Sequence, residues 1–87
     1  MKKENKQELF ELLTEDDARS VKERLERARL TQLWLLFRLD RDFGIRIKKA
    51  YLSILLDGNR PLTHKTCRII WCAIKVLDEY EKFYAGR

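Results

Sequence analysis

The sequence predicts an all-α fold: a compact bundle of about five helices, organised around a short helix, a turn and the next helix, and closed by a long C-terminal helix. Three observations carry that expectation. Gly occurs three times and Pro once in 87 residues, while charged residues and Leu/Ile dominate, a helical composition. Apolar residues recur at three- and four-residue spacing along most of the chain, the period of a helix with one buried stripe. The stretch Ile47 to Thr66, IKKAYLSILLDGNRPLTHKT, reads as a short helix stopped at Asp57-Gly58-Asn59 and a new one launched at Pro61-Leu62-Thr63.

Taken in order, residues 1–7 form a flexible, charged N-terminal segment and residues 8–87 a single helical domain. The chain is long enough to bury a modest core without disulfides or a metal. Leu9, Phe10, Leu12 and Leu13 suit a short helix from Gln7 to Leu13 lying over the domain. Thr14 is an N-cap followed by Glu15, Asp16 and Asp17, where negative charge favours the helix dipole. Ala18, Val21, Leu25 and Ala28 then make one apolar stripe. Thr31-Gln32 opens the most apolar run, LWLLFRLDRDF. Leu35, Leu36, Leu39 and Phe43 share its inward face, and Leu33, Trp34 and Phe37 spread beyond it. Gly44 closes this helix as a C-terminal cap.

The following helix runs from about Lys48 to Leu56. Leu52 and Leu55 point inward, Tyr51 lies at the margin, and Lys49, Ala50, Ser53 and Ile54 face outward. The last helix begins at the Thr63 cap and continues to about Tyr84. Cys67, Ile70, Trp71, Ile74 and Leu77 form one of its apolar seams; Ile69, Cys72, Ala73, Val76, Tyr80 and Phe83 form the other.

Charge is unevenly placed. The chain carries 19 Lys plus Arg against 14 Asp plus Glu, and the excess sits in residues 43–68, where Arg46, Lys48, Lys49, Arg60, Lys65 and Arg68 face Asp57 alone. Such a cluster is the footprint of a surface that meets a polyanion. Other classes find little support. His64 is the only histidine and has no Ser, Cys or carboxylate partner at a recognisable spacing, and there is no glycine-rich phosphate loop, so neither an enzyme nor a cofactor is expected. Cys67 and Cys72, five apart on one helix, point about 140° away from each other and read as small buried thiols rather than metal ligands. Arg38 and Arg41 alternate with Asp40 and Asp42 as surface ion pairs. No apolar run approaches the roughly 18 residues of a membrane span. MKK leads into Glu4, Asn5 and Lys6 rather than an apolar signal segment, so the expectation is a cytoplasmic chain with no membrane partner.

Val21-Lys22-Glu23-Arg24-Leu25, Leu30-Thr31-Gln32 with Leu35, Leu36 and Leu39, and then Tyr51-Leu52-Ser53, Leu55, Gly58, Asn59-Arg60-Pro61 and Leu62-Thr63 resemble the helix-turn-helix family of lambda-repressor-like and Cro-like regulators of bacteria and their phages. The resemblance runs from Val21 to Leu77. It departs from the family's pattern at three points. The interval from Thr31 to Tyr51 is longer than usual, Asp40 stands where a turn glycine is expected, with Gly44 one turn later, and Lys48 and Ile54 replace a Ser/Thr cap and a polar outward residue.

The resemblance implies a sequence-specific, double-stranded-DNA-binding transcriptional regulator, a phage-type repressor acting by operator occupancy as a homodimer. With the third helix in a major groove, Lys48, Lys49, Ala50, Ser53 and Ile54 are placed to meet base edges, and Thr31, Gln32, Arg46, Asn59, Arg60 and Lys65 to reach phosphates. An isoleucine at position 54 would touch a thymine methyl or mark a protein contact. Ile69, Cys72, Val76, Tyr80 and Phe83 are the expected dimer interface. The other account of that seam is cover by the Leu9 to Leu13 segment. The alternative function is the same fold turned to protein binding, as an anti-repressor, inhibitor or antitoxin-like adaptor, motivated by Trp34, Phe37, Ile54 and Trp71.

Overall fold

The computed structural model describes residues 13–58 and 62–84. Within them lie four α-helices: α1 (Glu15–Arg27), α2 (Gln32–Phe43), α3 (Lys49–Leu56) and α4 (His64–Tyr84). The short helix expected over Gln7 to Leu13 falls almost entirely outside the described residues.

Local chemistry accounts for the helix ends. The backbone N–H of Thr14 donates to the Asp17 carboxylate at 2.7 Å, and Glu15, Asp16 and Asp17 fill the first turn of α1. That places negative charge against the N-terminal pole of the helix dipole. At the other end the Leu30 N–H reaches the Leu25 carbonyl at 2.8 Å and the Arg29 N–H the Glu26 carbonyl at 3.1 Å, a Schellman arrangement. Its left-handed position is held by Arg29, φ 60°, rather than by a glycine. The Thr31 hydroxyl accepts the Trp34 N–H at 3.0 Å and starts α2. Gly44 ends it at φ 67°, with its N–H on the Asp40 carbonyl, as the sequence suggested. α3 begins one residue later than expected, at Lys49. Its N-cap, Lys48, offers no side-chain acceptor. α4 is started by the Thr63 hydroxyl accepting the Thr66 N–H, while the Thr63 N–H donates to the Thr66 hydroxyl at 2.7 Å.

α4 is the axis of packing: α1 and α2 both lie against it, and α3 is wedged against α2 and α1. The core draws on every helix, with Val21 and Leu25 from α1, Leu35 and Leu39 from α2, Leu52, Leu55 and Leu56 from α3, and Ile70, Ala73 and Leu77 from α4. Ile45 in the connector is also buried, which pins the chain between α2 and α3. Phe43, expected on the inward face of α2, is exposed. It is the last residue of the helix, where the chain is already turning away through Gly44.

Both seams of α4 turn inward. Ile69, Cys72 and Val76, expected on a dimer surface, are 2%, 5% and 2% exposed in the single chain. α1 and α2 embrace α4 from two directions, so its second seam is consumed by the monomer core. Tyr80 is half-buried, with its ring edge-on to Trp34 at 5.4 Å. Of the five residues expected at that interface, Phe83 is the exposed one, at 63%.

Ion pairs fasten the outside of the same helices. The Arg24 guanidinium bridges from α1 to Asp78 at 2.7 Å and Glu81 at 2.9 Å on α4. Arg38 does the same from α2 to Glu79 at 2.6 Å, while also holding Asp42 at 2.9 Å. Among the described residues no helix is long and apolar enough to cross a membrane.

Candidate nucleic-acid interface

Within the cation-rich segment, Arg46 and Lys48 from the connector after α2 and Lys65 from the start of α4 meet beside Ala50, Tyr51 and Ile54 of α3. Three elements bring these side chains together. Gly44 reverses the chain at the end of α2. Ile45, buried, then anchors the connector, so that Arg46 and Lys48 are left outside. Burial of Leu52, Leu55 and Leu56 fixes the rotation of α3, which turns Lys49, Ala50 and Ile54 to the surface. The Thr63–Thr66 cap sets the first turn of α4, from which Lys65 and Arg68 emerge exposed.

Arg46, Ile47, Lys48, Ala50, Tyr51, Ile54 and Lys65 line one open depression of about 420 Å³. Its lining mixes the apolar Ile47, Ala50 and Ile54 with the cations Arg46, Lys48 and Lys65. The Lys65 ammonium stands 6.0 Å from the Tyr51 ring centroid, within range of a cation–π attraction. Ile54 is 45% exposed, a large aliphatic side chain turned to water beside these cations.

The negative charges that could neutralise this region are committed elsewhere or at its edge. Asp57, the one acidic residue of the segment 43–68, is held by the Lys22 ammonium at 2.6 Å. That bond leads the causes that raise the Lys22 pKa above its ordinary value. Asp40 accepts from Arg46 Nε at 3.2 Å, so one of the expected phosphate contacts already has a carboxylate partner. Both members of that pair are exposed, and such a pair contributes little to stability and exchanges readily for another anion. Lys48, Lys49 and Arg68 have no carboxylate within ion-pair distance among the described residues.

Of the residues expected to meet base edges, Lys48, Lys49, Ala50 and Ile54 are exposed together, whereas Ser53 is half-buried. Of those expected at phosphates, Thr31 and Lys65 are exposed and Gln32 is half-buried. The Thr31 hydroxyl already serves as the cap of α2. Asn59 and Arg60 lie outside the described residues. Two contributors to the depression were not singled out from sequence, Ile47 and Tyr51. Ile47 reads only as connector, and Tyr51 as a margin residue; its aromatic ring beside Lys65 joins residues of two helices and has no signature in local spacing. Arg68 belongs to the same cation cluster but had no assigned role.

The arrangement can bind an extended anion through separated cations while presenting an apolar ridge between them. Acid–base chemistry has no comparable support here: Cys67 and Cys72 are both buried, with burial pushing the Cys72 thiol above its ordinary pKa. Among the described residues no three His, Cys, Asp or Glu side chains gather as a metal site. The chain matches no protein-family model, no curated protein and no solved structure.

Proposed function

We propose that this chain is a double-stranded-DNA-binding transcriptional regulator of helix-turn-helix type, with α3 as the helix that enters the major groove. The observation that carries this reading is the set of cations beside α3: Arg46, Lys48 and Lys65 line one depression with its Ala50 and Ile54, Lys49 is exposed in its first turn, and Asp57 is drawn off by Lys22. Phosphate neutralisation by such cations supplies salt-dependent affinity, and the exposed face of α3 supplies discrimination. Occupancy of an operator is the mechanism, and the phage-repressor character rests on the sequence resemblance described above. A homodimer suits the reading, because two recognition helices about 34 Å apart meet successive major grooves on one side of a duplex. With Ile69, Cys72 and Val76 in the core, the exposed Phe83 and Tyr84 at the end of α4 are the apolar residues left there to join two copies.

The test is duplex binding measured across salt. Affinity for double-stranded DNA is expected to fall steeply between about 50 and 200 mM salt. In the Lys48→Ala/Lys49→Ala variant the salt slope should drop by about one per lysine. Sedimentation of the complex should give two chains per site. A flat salt response, or an unchanged slope in the double variant, overturns the assignment.

A second reading, a protein-binding adaptor, is favoured by one specific observation. Leu33 and Phe37 stand one turn apart on the outside of α2, 58% and 61% exposed. Co-purification of a protein, with no duplex shift at low salt, would select it.

A further inference from the structure

We infer that α3 reads DNA through 5-methyl groups of pyrimidines, so that the operator is recognised by thymine methyls at positions about two base pairs apart. This rests on the DNA-binding reading and goes beyond it to the chemistry of discrimination.

Of the side chains that make paired hydrogen bonds to guanine or adenine edges, Arg, Lys, Asn and Gln, the sequence of α3, KAYLSILL, contains only Lys49. Its polar residues are Lys49, Tyr51 and Ser53. Tyr51 and Ser53 are half-buried, and the Tyr51 ring is already beside the Lys65 ammonium. What the helix presents outward is Lys49, Ala50 and Ile54. Ala50 and Ile54 are four residues apart and therefore neighbours on one face. They are separated by about 6 Å along the helix axis, close to two base-pair steps of about 3.4 Å. Both are exposed and line the open depression together with Arg46, Lys48 and Lys65.

An apolar ridge bounded by cations complements one feature of a duplex: the row of thymine methyls on the major-groove floor, flanked by phosphates. Ala and larger apolar side chains pack on that methyl, the one apolar group a base edge offers there. The neighbouring cations favour this occupant over an apolar protein groove, which would leave several of them buried without partners in a neutral interface. Lys49, at the first turn, remains able to donate to a guanine edge beside the methyl-reading pair.

The experiment selects a high-affinity duplex from a random-sequence library with the full chain, then replaces each thymine in turn by deoxyuridine, which removes only the 5-methyl group. The expected result is two positions, about two base pairs apart, at which the change weakens binding about fourfold each, the factor for withdrawing one methyl-sized apolar contact, with the salt slope unchanged. Ile54→Asn should abolish the thymine-over-deoxyuridine preference at one of them, and Ile54→Val should keep it. Equal binding of thymine and deoxyuridine duplexes at every position overturns the inference while leaving DNA binding intact. Failure to bind any duplex at low salt overturns both. The comparison uses the unaltered protein, so it stands even if the Ile54→Asn chain folds poorly.

Discussion

Two residues show how a single backbone conformation sets local stability. Gly44 and Arg29 both sit in the left-handed region, at φ 67° and φ 60°, each just beyond the end of a helix. For an L-residue with a side chain this conformation is disfavoured by roughly 1–2 kcal/mol, and glycine escapes most of that penalty. A Cβ added at Gly44 would meet no atom within 4 Å, so Gly44→Ala should destabilise by about 1 kcal/mol through the backbone alone. Arg29→Gly should do the opposite and stabilise by up to about 1 kcal/mol. Urea midpoints of the two variants check the pair; shifts of the same sign would show that side-chain contacts, not φ, govern these ends. The Gly44 cap was legible in the sequence because glycine after an apolar run is a stop signal. Arg29 was not, since the Schellman hydrogen bonds to Leu25 and Glu26 impose the left-handed state on a residue that gives no local sign of it.

At the scale of elements, the start of α2 separates structure from recognition. Thr31 was expected to open α2 and, with Gln32, to reach a phosphate; its hydroxyl accepts the Trp34 N–H at 3.0 Å. Thr31→Ala should therefore reduce stability by about 1 kcal/mol, read from thermal or urea unfolding. The salt slope of DNA binding should stay as it is, because no cation is lost. A reduced slope with unchanged stability would reassign the hydroxyl to phosphate contact. α3 gives a second lesson. Its inward and outward sides were legible from spacing because one eight-residue helix with leucines at positions 52 and 55 has one way to bury them. The half-buried state of Ser53 was not legible, since it depends on what packs beside α3 rather than on α3 itself.

Across the whole molecule, α4 is tied to both of its neighbours by arginines. Arg24 reaches Asp78 and Glu81 from α1, and Arg38 reaches Glu79 from α2. Hydrogen bonds from Arg24 hold the Glu81 carboxyl below its ordinary pKa, and those from Arg41 and Arg38 do the same for Asp42. A carboxyl whose folded pKa lies below its unfolded value contributes stability that is fully present above the unfolded value, about 4.3 for glutamate. That contribution is lost as pH falls through the folded value. Stability should accordingly decline as pH drops from about 6 toward about 3. Glu81→Gln should be less stable than the parent at the upper end, and the gap should close toward the lower end. Parallel curves from urea unfolding at each pH would exclude Arg24–Glu81 as a titrating tie. Surface ion pairs contribute modestly one by one, so the effect will be a slope rather than a collapse.

The sequence by itself determined the all-α class, the four described helices to within a residue or so at the ends assigned, the caps at Thr14, Thr31, Thr63 and Gly44, and the confinement of excess positive charge to residues 43–68. These follow from periodicity, capping chemistry and counting, which act over a few residues and leave their mark in local order. Only the tertiary structure decided that Ile69, Cys72 and Val76 belong to the core, that Asp57 is claimed by Lys22 35 positions away, and that Ile47, Tyr51 and Lys65 close one depression with Ala50 and Ile54. An apolar stripe on a helix records that something must cover it, but not what. That choice rests on how α1 and α2 are set against α4, a contest among long-range contacts that no short window of sequence contains.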